Sequence, residues 1–183
     1  GQIVYYVLDA AGFAVTLIDK DENLIAGMEK YGVKTYFGDG SRPELLLTAG
    51  IEKATVLVVA IDNKAEAAQI VRFAREANPH IKIVARAYDR THTFELHRAG
   101  ADEIIRETFD SGVRAGKRAL EFLGLPRDTA ESAGNIFYRM DRSGMHKMAV
   151  LYDPEQAGAF SNKAMMDEAR RQDARVKEVV QAM

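Results

Sequence analysis

TVLVVAIDN (residues 55–63) and IKIVARAYD (residues 81–89) are the two stretches that decide the fold class of this sequence. Both are largely apolar at consecutive positions, a pattern typical of parallel strands that are covered on both faces. Three weaker runs of strand type, AVTLID (14–19), KTYF (34–37) and DEII (102–105), alternate with segments of helical spacing. This alternation predicts an α/β fold with a Rossmann-like, doubly wound parallel sheet over residues 1–105.

The helical segments have recognisable stripes and ends. Residues 21–31 place four apolar side chains on one helix stripe, namely Leu24, Ile25, Met28 and Tyr31. A second helix is predicted to begin at Ser41, with Pro43 in its first turn, and to close at Gly50.

The sequence opens with GQIVYYVLDAAG (1–12), which predicts a helix over residues 2–10. In a doubly wound sheet the first helix follows a first strand, and that strand lies in the centre of the sheet. An empty central position would leave backbone groups of the neighbouring strands unpaired in the core. We therefore expect the natural protein to have residues upstream of Gly1 that supply this missing first strand.

After residue 105 the strand pattern ends, and a helical C-terminal extension is predicted over 106–183. RETFDSGVRAGKRALEFLGL (106–125) carries an apolar helix stripe and breaks at Gly124; its members are Phe109, Val113, Ala119, Leu120 and Leu123. Two further helices are predicted around 128–140 and 161–181. The stripe favours a dimer contact over a contact within the domain, so residues 106–183 are interpreted as a dimerisation extension.

Composition excludes several classes of protein. The 183 residues carry 25 Lys+Arg and 27 Asp+Glu, a net charge of −2 that argues against a nucleic-acid partner. With no cysteine, disulfides and thiolate metal sites are impossible. The four histidines, His80, His92, His97 and His146, lack ligand spacing and are predicted to lie on the surface, so no metal site is expected.

A nucleotide site is predicted from Gly1 and Asp19. Gly1 fits the last glycine of a phosphate-binding turn at a helix N-terminus. Asp19 ends the second predicted strand ~18 residues further on, close to the ~20 expected of an acid that binds the ribose hydroxyls. A carboxylate there disfavours a 2′-phosphate. The alternative is that Asp19 is an ordinary strand-end residue or helix cap.

Two more acids are predicted at the same edge. Asp39 follows the next strand, between Gly38 and Gly40, and is interpreted either as an acceptor for an adenine amino group or as the N-cap of the helix near Ser41. Asp62 follows the strand after that, where a doubly wound sheet binds its ligand. The candidate nucleotide site is completed by neighbours of these acids, Lys20, Gly40 and Ser41.

Six segments carry a family resemblance: GQIV (1–4), VTLIDKD (15–21), YFGDGSRPELLLTAGI (36–51), VLVVAIDN (56–63), IVARAYD (83–89) and AGADEIIRETFDSG (99–112). They resemble the RCK/KTN-type regulatory domains of potassium channels and transporters, and in particular the C-terminal domain of the glutathione-gated potassium efflux systems, the Kef family. The similarity runs from Gly1 to about residue 125 and more loosely to about 141.

The resemblance implies a non-enzymatic, ligand-gated domain on the cytoplasmic face of the bacterial inner membrane. It implies a homodimer, attached to a membrane transport domain of the same polypeptide, that controls potassium/proton efflux. The implied ligands are AMP, or NAD(H) or another adenine nucleotide, together with glutathione, which inhibits, or glutathione S-conjugates, which activate. A flavoprotein ancillary subunit is a further partner in the family.

The resemblance also implies roles for particular residues. Arg106 matches an arginine that binds glutathione, Tyr31 matches an aromatic ring that shifts between the inhibited and activated states, and Gln2 matches a contact with the membrane domain. Asp110 and Asp141 are assigned to the same glutathione site.

This sequence departs from the family at two glutathione positions. Tyr6 stands where the family has a second arginine, and Asp141 stands where it has an asparagine. Asp141 accepts hydrogen bonds from a ligand amino group but, when ionised, cannot donate one to a carboxylate. Asn135 is a candidate for the missing donor.

Alternatives to the family roles follow from the residues alone. Arg106 is then a surface ion pair with Glu107 or Asp110, and Tyr31 is a core residue of its helix stripe. For the whole chain, the alternatives are an NAD-dependent oxidoreductase and an NADH- or ATP-responsive regulatory subunit of a potassium uptake system.

Overall fold

The structure, a computed structural model, describes residues 1–153 and 162–182, which form two compact units. The sheet unit comprises residues 1–87 and 95–105, and the helical unit comprises residues 88–94 and the described residues from 106 onward. The strands are β1 (Thr16–Asp19), β2 (Lys34–Phe37), β3 (Val56–Val59), β4 (Lys82–Ala87) and β5 (Glu103–Arg106). The helices are α1 (Gln2–Ala10), α2 (Glu22–Glu29), α3 (Pro43–Ala49), α4 (Lys64–Ala77), α5 (Arg90–Ala99), α6 (Phe109–Phe122), α7 (Arg127–Leu151) and α8 (Lys163–Gln181).

The strands form two sheets. β1 pairs in parallel with β2, and a second sheet has the order β3–β4–β5, with β3 and β4 parallel. This arrangement confirms the predicted Rossmann-like α/β class and the predicted positions of all five strands. The expected additional central strand stays a prediction.

The core of the sheet unit lies between α4 and β4. On β4, Ile83, Ala85 and Ala87 are fully buried, whereas the residues between them are partly exposed. On α4, Ala67 and Ala74 are also fully buried, and their small side chains let the helix approach the sheet closely. The apolar run at 81–86 was predicted to be covered on both faces; the structure covers one face fully and the other in part.

The predicted close of α3 at Gly50 is confirmed, whereas the helix begins at Pro43 and not at the predicted Ser41. Asp21 caps α2 by accepting hydrogen bonds from the N–H groups of Asn23 and Leu24. Gly50 ends α3 with φ +98°, a left-handed conformation that favours glycine. Tyr31 lies beyond the end of α2 with 82% of its surface exposed, so its interpretation as a core residue is wrong. The helix stops before the stripe reaches Tyr31.

The helical unit has a small core of its own. Phe94 packs with three methionines and an alanine from α7 and α8, namely Met145, Met148, Ala149 and Met165. Helix α7 continues to Leu151, well beyond the predicted 128–140, since this apolar face gives it a partner in α8. The predicted start of the last helix at 161 lies outside the described residues.

His92 contradicts the prediction that all four histidines lie on the surface. It is 1% exposed, in the first turn of α5, and its Nδ1 accepts the N–H of Tyr88 at 3.1 Å. Its own N–H donates to Asp89 at 2.8 Å, which helps to begin the helix. The burial comes from the tertiary fold, because the local sequence around His92 has no apolar stripe. None of the helices in the described residues combines the length and apolar character needed to cross a membrane.

Candidate functional site

Asp19 and Asp39 come together where β1 and β2 end. Because the two strands are parallel and Asp19 is in register with Phe37, both strands end at the same edge of the sheet. The N–H of Gly38 donates to the carbonyl of Asp19 at 2.9 Å, which brings the next residue, Asp39, to the end of β1. Gly38 has φ +147°, and a Cβ there would lie 3.0 Å from the side chain of Leu45. This turn therefore requires glycine.

Asp39 is held by the turn that precedes α3. Its Oδ1 accepts from the N–H of Ser41 at 2.9 Å and from the Ser41 hydroxyl at 2.7 Å. These bonds, with Lys20 nearby, hold the pKa of the Asp39 carboxyl below its usual value. The predicted N-cap role is wrong, because the cap position of α3 is Arg42. Asp39 instead presents an ionised carboxylate at the sheet edge.

Lys20 closes one side of this edge. Its Nζ lies 2.9 Å from Glu66 in α4 and 3.4 Å from Asp39. The hydrogen bond to Glu66 is the main cause that raises the pKa of Lys20. Direct contacts thus connect Lys20, Asp39 and Ser41, which were all predicted candidates at this edge of the sheet. Glu66, which was not singled out from the sequence, contacts Lys20.

An open groove lies beside Asp39. Its volume is about 680 Å³, within the range of small-molecule sites. The lining residues are Phe37, Gly38, Asp39, Arg42, Glu44, Leu45 and Thr48. The groove places apolar surface and a carboxylate side by side, which suits a flat heterocycle that carries an amino group.

Asp19 makes one side-chain contact, accepting the N–H of Asp21 at 2.9 Å. It is not the cap of α2, since Asp21 has that role. The second carboxylate oxygen and the remaining lone pairs of Asp19 are therefore available to hydroxyl groups. Gly1 lies at the N-cap of α1, and Gly40 is in ordinary contact with Ile18.

Asp62 follows β3 and forms an ion pair with Arg86 of β4. The Asp62 side chain is 95% exposed. Arg86 was missed by the sequence reasoning, because it was interpreted only as part of an apolar strand. An arginine that follows three apolar residues near the end of a parallel strand is the signal that marks it.

A second polar cluster lies in the helical unit, where Arg106 forms an ion pair with Asp141 of α7. Arg90 Nη2 lies 3.4 Å from the other carboxylate oxygen of Asp141. The Asp141 side chain is 8% exposed and that of Arg106 is 16% exposed. The interpretation of Arg106 as a surface ion pair with Glu107 or Asp110 is therefore wrong, since its partner is the distant Asp141. Arg90 was not singled out from the sequence.

Aromatic rings hold Arg106 in place. The guanidinium carbon lies 3.6 Å from the ring centre of Phe109, a cation–π contact. Phe109 in turn packs against Phe137 at 6.0 Å and Tyr138 at 5.5 Å. The Phe109 ring thereby covers one face of the Arg106 guanidinium. The N–H groups point outward in the guanidinium plane.

The structure places the remaining predicted residues as follows, each within its own unit. In the helical unit, Asp110 is exposed in the first turn of α6, and Asn135 accepts a hydrogen bond from Lys117 at 2.8 Å. In the sheet unit, Tyr31 and the α1 residues Gln2 and Tyr6 are exposed. The described residues contain no group of three or more possible ligands that would hold a metal ion.

Comparison with known families identifies the class of this protein. The family model of the TrkA-N domain matches residues 1–107, and that of the potassium efflux system KefB C-terminal domain matches residues 111–182. The chain belongs to the TrkA-N domain family, and the match of its helical part identifies a Kef-family regulatory domain. The predicted resemblance is confirmed.

Individual proteins agree with this assignment. The glutathione-regulated potassium-efflux system protein KefC of Escherichia fergusonii is 35% identical over 176 residues, which cover 94% of this chain. KefC of Escherichia coli O139:H28 has the same identity over the same length. The chain spans only 28% of the length of these relatives.

Solved structures show the same fold. The Kef CTD of Shewanella denitrificans, in an AMP-bound form, has a TM-score of 0.74 at 37% identity and covers 83% of this chain and 92% of its own. The TrkA-N domain of the Escherichia coli inner membrane protein ybaL has a TM-score of 0.61 at 25% identity and covers 68% of this chain and 89% of its own.

Proposed function

We propose that this chain is the ligand-sensing domain of a potassium/proton efflux transporter and that it acts by binding, without catalysis. The observation that carries the proposal is the continuous similarity to KefC over 94% of the chain, which spans both the sheet unit and the helical unit. A ligand controls such a domain only if it binds two conformations of the domain with unequal affinity. Transport itself would belong to a membrane domain of the same polypeptide.

The nucleotide proposed for the sheet unit is AMP or a related adenine nucleotide such as NAD(H). The AMP in the Shewanella neighbour supports this choice. Asp19 would accept hydrogen bonds from the ribose hydroxyls with its uncommitted lone pairs. Asp39, ionised and fixed by Ser41, would accept from the adenine amino group beside the groove.

The regulatory ligand proposed for the helical unit is glutathione, which would hold transport shut, or a glutathione S-conjugate, which would open it. The name of the KefC relatives supports a glutathione ligand. Arg106 and Asp141 would contact the peptide, with Asp110 in the adjacent first turn of α6. The exposed ring of Tyr31 would be displaced by a bulky S-substituent but not by a free thiol.

The proposed assembly is a homodimer on the cytoplasmic face of the inner membrane. Exposed apolar side chains at the end of α6 support a dimer contact, because Leu123 of the stripe is 78% exposed and its neighbour Phe122 is 91% exposed. Gln2, exposed in the first turn of α1, is the proposed contact with the membrane domain. A flavoprotein ancillary subunit would assist activation.

Thermal unfolding with added ligands tests this proposal, since a ligand that binds only the folded state raises the unfolding temperature. We expect AMP, reduced glutathione and an S-conjugate each to raise it. Asp19→Asn should remove the AMP effect alone, and the charge-free pair Arg106→Gln with Asp141→Asn should remove the glutathione effect alone.

Arg118→Gln is the matched control for the arginine, because Arg118 lies in the same helical unit, on α6, is 52% exposed and pairs with Glu121 of its own helix. It should leave both ligand effects unchanged. Stabilisation by AMP with no response to either glutathione form would overturn the glutathione part. Turnover of NADH with a carbonyl substrate would overturn the non-catalytic part.

A further inference from the structure

The second half of α7 buries one side and exposes the other. On the buried side, Met145, Met148 and Ala149 pack in the small core of the helical unit. The exposed residues from 139 to 150 recur at spacings of three and four, which places them together on the opposite side of the helix. They are Arg139, Arg142, Ser143, His146, Lys147 and Val150. We name this surface the basic face.

The basic face carries charge of one sign. Arg139, Arg142 and Lys147 are three permanent positive charges, in a chain whose net charge is −2. The one acid between residues 139 and 151 is Asp141, whose side chain is 8% exposed and is paired with Arg106. The carboxylate of Asp141 is therefore engaged inside the helical unit and does not contribute negative charge to the basic face.

Concentrating these cations costs the helix stability. Arg139 and Arg142 lie three positions apart, and Arg142 and His146 lie four apart, so like side chains are neighbours on the helix surface. Neither these three residues nor Lys147 has an acid three or four positions away in α7. Negative charge that relieves the repulsion along this face must therefore come from outside the helix.

Helix α8 of the same unit shows the usual alternative. Arg170, Arg175 and Lys177 are also exposed, but each has an acid one turn away. Asp173 lies three positions from Arg170 and four from Lys177, and Glu178 lies three positions from Arg175. Such mixed charges are typical of a helix face that is simply solvated. The difference between the two helices marks the basic face as a surface for a negatively charged partner.

Val150 indicates the chemistry of that partner. It is 75% exposed, and eleven positions, or three turns, after Arg139 it returns to the same side of the helix, about 16 Å along the axis. On a bilayer, the long stems of Arg and Lys lie along apolar surface while their charged heads reach the phosphates, and an aliphatic side chain enters the interface. An acidic peptide matches the charges alone, whereas an anionic phospholipid matches both the charges and the exposed aliphatic side chain.

We propose that the basic face of α7 docks on the anionic phospholipid headgroups of the membrane surface. The cations of the face pair with lipid phosphates, and Val150 inserts between the headgroups. This contact goes beyond the proposed function, which requires no lipid, and rests on it only for the nearness of a membrane. It is also separate from the contact proposed for Gln2, which is with the membrane domain.

Co-sedimentation of the purified chain with vesicles tests the proposal. One set of vesicles contains equal parts of phosphatidylglycerol and phosphatidylcholine, and the reference set contains phosphatidylcholine alone. Since each Lys or Arg beside an anionic surface contributes about a fivefold factor, we expect the chain to bind the anionic vesicles at least about thirtyfold more strongly. High salt should reduce that ratio.

The variant that removes the charge is Arg139→Gln with Arg142→Gln and Lys147→Gln. Its affinities for the two kinds of vesicle should differ by less than about threefold. It should unfold at no lower a urea concentration than the wild type, because like charges have been removed from one helix face. Arg139→Lys with Arg142→Lys keeps the charges and should keep the preference for anionic vesicles.

The matched control removes three charges from α8, in Arg170→Gln with Arg175→Gln and Lys177→Gln. It should leave the preference within about twofold of the wild type, because acids one turn away already offset those charges. An equal loss in the two triple variants would show attraction by net charge alone and would overturn the proposal.

Two other outcomes also overturn it. One is equal binding of the wild type to both kinds of vesicle. The other is binding of poly-L-glutamate through the basic face with no binding to anionic vesicles, which would make the partner an acidic protein segment. The proposed function is tested separately by stabilisation with AMP and glutathione, so neither outcome decides it.

Discussion

Two clusters in this protein place a carboxylate between two cations: the clasp, formed by Arg75, Lys82 and Asp102, and the triad, formed by Arg90, Arg106 and Asp141. They contain the same chemistry and differ in what surrounds it. Arg75 of the clasp fills every donor, mainly with backbone carbonyls, and Asp102 accepts the N–H of Ile83 at 2.8 Å. In the triad, Arg106 and Asp141 contact side chains only. The comparison teaches that an ion pair anchored to the backbone serves the fold, whereas a buried pair with unused donors is available for recognition.

The largest expected effect is on stability, and it comes from the clasp. Arg75→Ala removes the arginine donor from three backbone carbonyls and leaves Asp102 with only Ile83 N–H and Lys82 among the partners described, and we expect a loss of about 4 kcal/mol in the free energy of unfolding. Arg106→Ala should cost about 2 kcal/mol, because Arg90 still pairs with Asp141. Urea denaturation measures both values.

The two arginine variants must also differ in their ligand response. Arg75→Ala, where folded, should keep the stabilisation by glutathione, whereas Arg106→Ala should lose it. An equal cost of the two substitutions would break the distinction between the clasp and the triad.

The next effect is a pH dependence that belongs to the clasp. The Ile83 N–H, with Arg75 and Lys82, holds the pKa of Asp102 below its usual value of 3.8. Because the folded pKa is lowered, the stabilisation is complete above pH 3.8 and is lost as the pH falls through the folded pKa. Asp102→Asn should cost about 1 kcal/mol at pH 7 and flatten this acid-side loss.

Chemical denaturation at pH values from 7 to about 2.5 measures the slope of stability against pH. Asp173→Asn, an exposed position on α8, is the control and should retain the wild-type slope. A slope that is unchanged in Asp102→Asn would show that the clasp is not the acid-sensitive element.

The smallest effect on stability is expected at the sheet edge where β1 and β2 end. Lys20 pairs with Asp39 and Glu66 but is 55% exposed, so solvent and salt screen both contacts. Lys20→Gln should therefore lower stability less than Asp102→Asn does, and the difference from wild type should vanish at high salt. Urea denaturation at low and high salt measures this. A loss that persists at high salt would contradict the view that these contacts are exposed and exchangeable.

Much of the fold could be predicted from periodicity. The helix over Gln2–Ala10 and the strand over Lys34–Phe37 have the predicted bounds. These elements follow from local spacing, since a helix or strand with one buried face repeats its apolar residues at a fixed period. The length of α7 could not be predicted, because its second half is helical through packing against α8.

The acids at the ends of β1 and β2 could be predicted by the same reasoning. Asp19 ends β1 and Asp39 follows the end of β2, and parallel strands direct their carboxyl ends to one edge. The partner of the neighbouring Lys20 was not accessible, because Glu66 reaches Lys20 from a helix 46 residues away in the chain. Residue spacing along the sequence does not predict such a long-range contact.

The α/β class, the order of elements and the acids at the sheet edge follow from spacing along the chain, and composition excludes cysteine chemistry in this sequence. The pairing of Arg106 with Asp141, 35 residues distant, and the approach of Arg90 from 51 residues away are visible only in the folded molecule. The same is true of the difference in hydrogen bonding between the clasp and the triad. Hydrogen-bond satisfaction and burial depend on neighbours in space, which long-range packing assembles.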